Sequence, residues 1–353
     1  MQKKLIAAAI SSLIASQAMA ITLHDDGTNK ATLGGYLDLR YTDQDDGKHE
    51  GDSSRINFGF ESILNDDLTA FAMAEWGIDT GSSGDTRDVN GNEGDLMWQR
   101  LGYIGVESEQ WGSLAFGKQW SSYSQVAGWT DMFATTGGDA SGFYGKDAEV
   151  LGTSRADDAL QYNGSYGGLS FSAQYQMGDR DVADLDRDYT NRDSAYGFAA
   201  SYDLPMGLSF GVAYNEAKLD DLTENTVSDQ GKKAKSAIVG AKYEADKLYT
   251  ALTYAELKDR NAHDYLGQVD KAKGYELYVS YQLQDNVKVE TGYNQLKDKS
   301  SDAGEGEVQY YPIGLVYTTG PVQLSGTYVF ESSTKLDGSD VDDRAVLQAR
   351  YYF

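Results

Sequence analysis

Side chains able to run acid–base or nucleophilic chemistry near neutral pH are scarce in this chain of 353 residues. There is no cysteine, so thiolate chemistry, disulfides and Cys-ligated metals are excluded. The three histidines are scattered: His24 lies near the start, and His49 and His263 lie in polar stretches. Asp184-Leu185-Asp186-Arg187-Asp188 opens like a calcium loop, but Tyr189 takes the position that needs glycine and Ala195 that of the closing glutamate. No G-x-S-x-G, phosphate loop, dinucleotide fingerprint or H-E-x-x-H occurs. Catalytic residues, metal and cofactor are all expected to be absent. A hydrolase built on a Ser/His pair is the one enzyme alternative.

What remains is fixed charge held on alternating segments. Arg55, Asn57, Gly59 and Glu61 share one face of an extended stretch, and Ile56, Phe58 and Phe60 share the other. Arg100 is set against Leu101 and Tyr103 in the same manner. If such segments cross a bilayer, each arginine must turn to water, because facing lipid costs it roughly 2–4 kcal/mol at the midplane. Acids gather in residues 123–154, namely Asp131, Asp139, Asp147 and Glu149, and Lys146 is the only basic residue between Trp120 and Ser154. Arginines and acids facing each other across water make no bonds; they set up a field that favours polar solutes over apolar ones.

The elements that would hold these charges read as strands. In Tyr275-Glu276-Leu277-Tyr278-Val279-Ser280-Tyr281-Gln282-Leu283-Gln284 the odd-numbered positions are aromatic or aliphatic and the even-numbered ones are mostly polar. Leu208, Phe210, Val212 and Tyr214 repeat the period of two, as do Val322, Leu324, Gly326, Tyr328 and Phe330. A helix would scatter these residues around its whole circumference. Seven short turns, at 65–67, 109–111, 166–168, 205–207, 246–247, 285–286 and 320–321, alternate with eight long polar connections, at 44–52, 80–94, 123–154, 180–193, 220–233, 260–272, 299–304 and 334–342. That count requires sixteen strands in a meander with tight turns at one end and long loops at the other, the pattern of an outer-membrane barrel. Sixteen strands enclose an aqueous channel. Pro312 falls inside a strand and demands a local break there. The last strand carries Ala345, Leu347, Ala349 and Tyr351 on one face and Arg344, Gln348, Arg350 and Tyr352 on the other, and it should pair with the first, near 31–43.

Lys3 and Lys4, the apolar run Leu5 to Ala15 and Ala18-Met19-Ala20 form an export signal over residues 1–20, leaving 21–353 as the barrel domain. Losing Lys3 and Lys4 makes the formal net charge of −25 two units more negative. Nucleic acid is therefore no partner.

In Asp26-Gly27, Leu33-Gly34-Gly35-Tyr36, Ser54 to Ser62, Arg100 to Gly105, Trp129 to Met132 with Gly137-Gly138-Asp139, and the terminal Tyr351-Tyr352-Phe353, the chain resembles the general diffusion porins of Gram-negative bacteria. The resemblance spans the mature chain and is strongest up to about residue 180. It implies a 16-stranded antiparallel transmembrane β-barrel, all-β, whose third loop folds into the lumen and faces basic wall residues. Segment 123–154 occupies the place of that loop. Arg55, Arg100 and Arg155 match the family's wall arginines, Asp131 matches a loop acid, and Asp139 matches an acid at the loop's bend. Thr135 stands where a constriction glutamate is usual, and Tyr36 where some members have lysine.

The expected function is a water-filled outer-membrane channel for small hydrophilic solutes and ions, mildly cation-selective because the chain and its loops are acidic. Its nearest rival is a substrate-specific channel, for oligosaccharides for instance, with Trp129, Phe133, Phe143 and Tyr144 as an aromatic slide. A homotrimer follows from the resemblance and from Ala70, Ala72 and Ala74, a smooth face suited to close packing. Outer-membrane lipid and lipopolysaccharide are the remaining partners.

Overall fold

The computed structural model describes residues 20–43, 48–50, 54–80, 97–145, 147–178, 189–221, 233–300, 304 and 306–353. The export signal, the calcium-like stretch around Asp184 to Asp188 and Lys146 lie outside the described residues. Eighteen strands form one antiparallel sheet. They are β1 (Ile21–Asp25), β2 (Asn29–Thr42), β3 (Lys48–Glu50), β4 (Ser54–Asn65), β5 (Leu68–Ile78), β6 (Met97–Ser108), β7 (Gly112–Trp120), β8 (Arg155–Tyr166) and β9 (Leu169–Gln176), followed by β10 (Tyr189–Asp203), β11 (Leu208–Asp221), β12 (Lys233–Ala245), β13 (Leu248–His263), β14 (Gly267–Gln284), β15 (Val287–Asp298), β16 (Glu307–Thr319), β17 (Val322–Glu331) and β18 (Arg344–Tyr352).

These make sixteen staves. β18 pairs with the Tyr36–Thr42 part of β2, and β1 pairs with the Lys30–Leu33 part along the same edge, so β1 continues the line of β18. β3 likewise continues β4 along the other edge of β2. The first and last strands thus close the wall, as the alternation near 31–43 and 344–353 requires. All seven short turns connect neighbouring strands where expected.

Alternation sorts the two faces. Leu347 is 60% exposed while its neighbour Gln348 is 4% exposed, because one looks out from the barrel and the other in. Phe210, Leu252, Ile313 and Ile104 belong to the same outward set. Such a belt of exposed large apolar side chains would be a solubility fault in water and is the working surface in lipid.

One connection differs from expectation. Residues 260–272 are not an open loop: β13 and β14 run on as a ribbon to the tight turn at 264–266, their backbones pairing to His263 and Gly267. Polar composition marks solvent exposure, and a hairpin rising above the membrane is as polar as a loop. Pro312 makes the local break that its place inside a strand demands, without a bulge. It pairs with Val329 in unbroken register on the β17 side, while on the β15 side the ladder skips Gly292 and Tyr293 and resumes unshifted at Asn294. The missing proline N–H is the cause, and Thr291 Oγ1 donates to the Pro312 carbonyl at 2.9 Å across the gap.

Candidate functional site: an inward loop and a basic wall

Residues 121–154 join β7 to β8 and carry two single-turn helices, α1 (Ser124–Ala127) and α2 (Ala148–Leu151). This third loop lies against the inner wall and crosses it strand by strand. Trp129 packs where glycines leave room, over Gly211 of β11 and Gly240 of β12. Thr130 Oγ1 and the backbone N–H groups of Ala140 and Ser141 donate to Glu276 of β14, at 2.5, 2.7 and 2.9 Å. Ala134 N–H donates to Glu290 of β15 at 2.8 Å. Tyr310 of β16 donates to Asp139 at 2.5 Å, and Thr135 to Thr327 of β17 at 2.7 Å. Gly274 is obligatory, since a Cβ there would sit 1.7 Å from the Ala140 carbonyl oxygen. The bend before Asp139 uses Gly137 and Gly138 at φ 102° and 82°. The loop returns through Asp147, whose carboxylate takes Arg260 of β13 at 2.8 Å and the Asn261 N–H at 2.6 Å.

Opposite this loop stands a cluster of cations. Arg55 on β4 and Arg100 on β6 share Glu75 of β5, at 3.9 and 2.9 Å. Arg350 of β18 is paired with Asp38 of β2 at 2.6 Å. Tyr36 lies between them, with Arg55 and Arg350 at 4.6 and 4.2 Å from its ring centroid, so the aromatic residue that replaces a lysine serves as a cation–π platform. Arg155 pairs with Glu149, which also accepts Lys118 at 2.7 Å. Arg155 also lies over the ring of Trp120.

The position of Arg100 corrects the face reading of its strand. Glu75 pairs with Leu101 and Trp76 with Gln99, leaving Arg100 as an extra residue in a β-bulge. Arg100 and Leu101 therefore both point inward, with Tyr103 beside Glu75, while Ile104 faces out. Period-two counting gives the right side for Arg100 and the wrong one for Leu101 and Tyr103.

Of the loop residues singled out by sequence, Glu149 pairs with Arg155 and Lys118, and Asp131 lies within the electrostatic reach of Arg55. Asp131 accepts Tyr144 at 2.7 Å. Burial lifts its pKa from the ordinary 3.8 to about 6, with Asp139 pushing the same way and the Tyr144 hydrogen bond and Arg55 pulling down. Thr135 and Asp139 are turned to the wall by their bonds to Thr327 and Tyr310. Asp147 does not belong with the channel-facing acids: it is fully buried with Arg260. Sequence reasoning set Arg350 on one face of the last strand without a site role and gave none to Glu75, Lys118 or Glu276; only register across the closing strands assembles Arg350 with Arg55. Of the histidines, His24 bonds Asp26 and His263 takes the Tyr265 N–H. Among the described residues no cluster of metal-ligating side chains occurs.

A closed antiparallel barrel narrowed by one of its own loops is the architecture of an outer-membrane channel. The chain matches the Gram-negative porin family over residues 5–336, and it belongs to that family. It is a general diffusion porin of the outer membrane. It is similar to outer membrane protein F of Serratia marcescens, 29% identical over 366 residues that cover 96% of this chain and 94% of that protein. Outer membrane porin N of Escherichia coli (strain K12) is 27% identical over 370 residues, with 96% and 94% covered. Among solved structures, OmpF of Salmonella typhi in complex with daunomycin superposes with a TM-score of 0.78 at 23% identity, covering 94% of this chain and 100% of that one. OmpT of Vibrio cholerae in its trimer form gives 0.67 at 17%, with 92% and 100% covered.

Proposed function

We propose that this porin passes small hydrophilic solutes and ions by passive diffusion with a mild preference for cations, through a constriction lined by Arg55, Arg100, Arg155, Asp131 and Glu149 and held in shape by Thr135 and Asp139. The observation that carries the reading is that every wall cation of the cluster already has a carboxylate: Glu75 serves Arg55 and Arg100, Glu149 serves Arg155 and Lys118, and Asp38 serves Arg350. Three carboxylates offset three of these five cations and Asp131 of the loop adds a further negative charge, so the acidic balance of the whole chain sets the sign of the potential at the mouth. The signal segment 1–20 is read as cleaved on export, the working form as a homotrimer, and lipopolysaccharide as a partner at the lipid boundary.

An oligosaccharide slide is disfavoured. Trp129 and Phe143 are buried, Phe143 stacked on Trp120, and Phe133 is engaged edge-on with Tyr278, which leaves only Tyr144 substantially exposed. Reversal potentials in a salt gradient test the cation preference, and an anion preference would sink it. Liposome swelling with sugars of increasing size tests the mechanism: a smooth cutoff is expected, and saturable preference for one sugar would refute free diffusion.

A further inference from the structure

One edge of β2 is shared by two strands, and neither fills the place where they meet. β18 runs along that edge to Tyr352, opposite Tyr36, and the Phe353 N–H donates to the Gly35 carbonyl at 3.1 Å. β1 takes the edge up again at Ile21, opposite Leu33. Gly34 lies between. Its partner on β4 is Asn57, and Asn57 is directly opposite Glu75 of β5, the carboxylate shared by Arg55 and Arg100. The junction therefore opens on the lumen, beside the arginine cluster.

Residue 20 stands at this junction. A carbon added to Gly34 would lie 3.0 Å from Asn57 Oδ1, 3.2 Å from Ala20 Cβ and 3.7 Å from Ala20 Cα, so the glycine, the amide and Ala20 border one small space. Asn57 is 2% exposed, and among the described residues nothing donates to its Oδ1. An amide oxygen buried without a donor is costly and calls for one. The methyl of Ala20 cannot supply it. Cutting the Ala20–Ile21 bond makes a group that can: an α-ammonium within about 3 Å of where the Ala20 Cα had been, charged at neutral pH. The same cut removes Ala20 and empties the space.

We propose that removal of the signal segment installs the α-ammonium of Ile21 as a further cation of the lumenal cluster, seated on Asn57 Oδ1 with Glu75 behind it. The inference rests on the reading of residues 1–20 as a cleaved signal. Glu75 holds Arg55 only at 3.9 Å, so it has room to attract another cation, and a charge-assisted hydrogen bond is the strong kind. Arg55 and Arg350 oppose the new charge from the two sides of Tyr36. Processing thus adds one positive charge to the wall with no carboxylate to match it, and a side chain at position 34 would fill the seat. The charge that solutes meet in the lumen is set in part by a proteolytic cut.

The test uses porin purified from outer membranes, whose intact mass should place the mature start at Ile21. Acetylation at pH 6.5, where lysine side chains stay protonated, removes the α-charge; acylation of the same nitrogen with a trimethylammonioacetyl group keeps a charge there. Reversal potentials in a salt gradient at pH 7.5 then compare the forms. Acetylated porin should show a cation-to-anion permeability ratio about fourfold higher, because loss of a unit charge about 10 Å away enriches cations and depletes anions about twofold each. The charge-keeping acyl group should leave the ratio unchanged. Asn57→Leu removes the seat and should speed acetylation at least fivefold; the acylated pair needs no variant and stands even where this one fails to fold. Equal ratios for untreated and acetylated porin that starts at Ile21 would overturn the inference and leave both the signal reading and the channel standing. An equal rise in both acylated forms would show bulk at work rather than charge and would overturn it as well. A mature chain starting elsewhere would remove the inference together with the reading of the signal.

Discussion

Arg260 and Asp147 meet at 2.8 Å with both side chains fully excluded from solvent, one on the barrel wall and the other on the loop that narrows the lumen. Arg260 also donates to the Gly142 carbonyl at 2.9 Å and Ser236 Oγ at 2.6 Å. Removing one partner of such a pair strands the other charge, at a cost of about 3–5 kcal/mol. Asp147→Asn should therefore lower the thermal midpoint and raise open-channel current noise as the third loop loosens. Arg260→Met combined with Asp147→Leu should recover most of the loss, and a single variant indistinguishable from wild type in both measurements would show that the pair does not fasten the loop.

Glu75 is the one carboxylate shared by Arg55 and Arg100, at 3.9 and 2.9 Å. A unit charge about 10 Å away in water is worth ~0.4 kcal/mol, close to a twofold change in local ion concentration. Glu75→Gln uncovers Arg55 and Arg100 and should reduce the cation-to-anion permeability ratio about fourfold, since cations are depleted and anions enriched about twofold each. Arg55→Ser with Arg100→Ser should raise it. Reversal potentials moving in the opposite directions would exclude the cluster from the constriction.

Acidification should act through Asp131. Its carboxyl titrates at about 6 because burial disfavours the anion, so it is charged at pH 7.5 and neutral at pH 5. Cation preference should fall as pH drops through 6, and Asp131→Asn should remove that step while leaving the profile above it flat. Because the folded-state value lies above the ordinary 3.8, the linked contribution to stability is complete below that value and is lost as pH rises through about 6. Asp131→Asn should thus flatten a small decline in thermal midpoint over the same interval.

Ala72 lies outward, paired with Phe60 on one side and Ile104 on the other, in a shallow apolar hollow that also includes Ala31 and Ala70. If this face joins protomers, Ala72→Trp should overfill it at roughly 1–3 kcal/mol per protomer. The trimer should then dissociate at lower temperature in detergent gels while monomer fold is kept. Unchanged trimer melting would place the interface elsewhere.

Much of this architecture is legible in the chain because lipid outside and water inside impose a period of two, as Leu347 and Gln348 display. Tight turns and long connections then count the strands. Local pattern fails where geometry departs from strict alternation. The bulge at Arg100 places two consecutive residues on the same side, and nothing in Arg100-Leu101-Gly102-Tyr103 announces it. The ribbon through 260–272 has loop composition because its upper part stands clear of lipid. The site residues divide the same way. Arg55 follows from its own strand, whereas Arg350 joins it only through the pairing of β2 with β18, a contact between positions more than 300 residues apart. Thr135 and Asp139 are loop residues whose wall partners, Thr327 and Tyr310, no spacing rule could nominate.

The seam between β2 and β18 has a consequence for how the pore comes into being. Tyr36 is the platform on which Arg55 and Arg350 converge, and Arg350 is contributed by the last strand. The pairing of Arg350 with Arg55 across Tyr36 does not exist in a barrel whose ends have not met. Closure of the wall and completion of this cluster are thus one event, and a wall whose ends have not met holds Arg55 and Arg100 on Glu75 without Arg350 beside them.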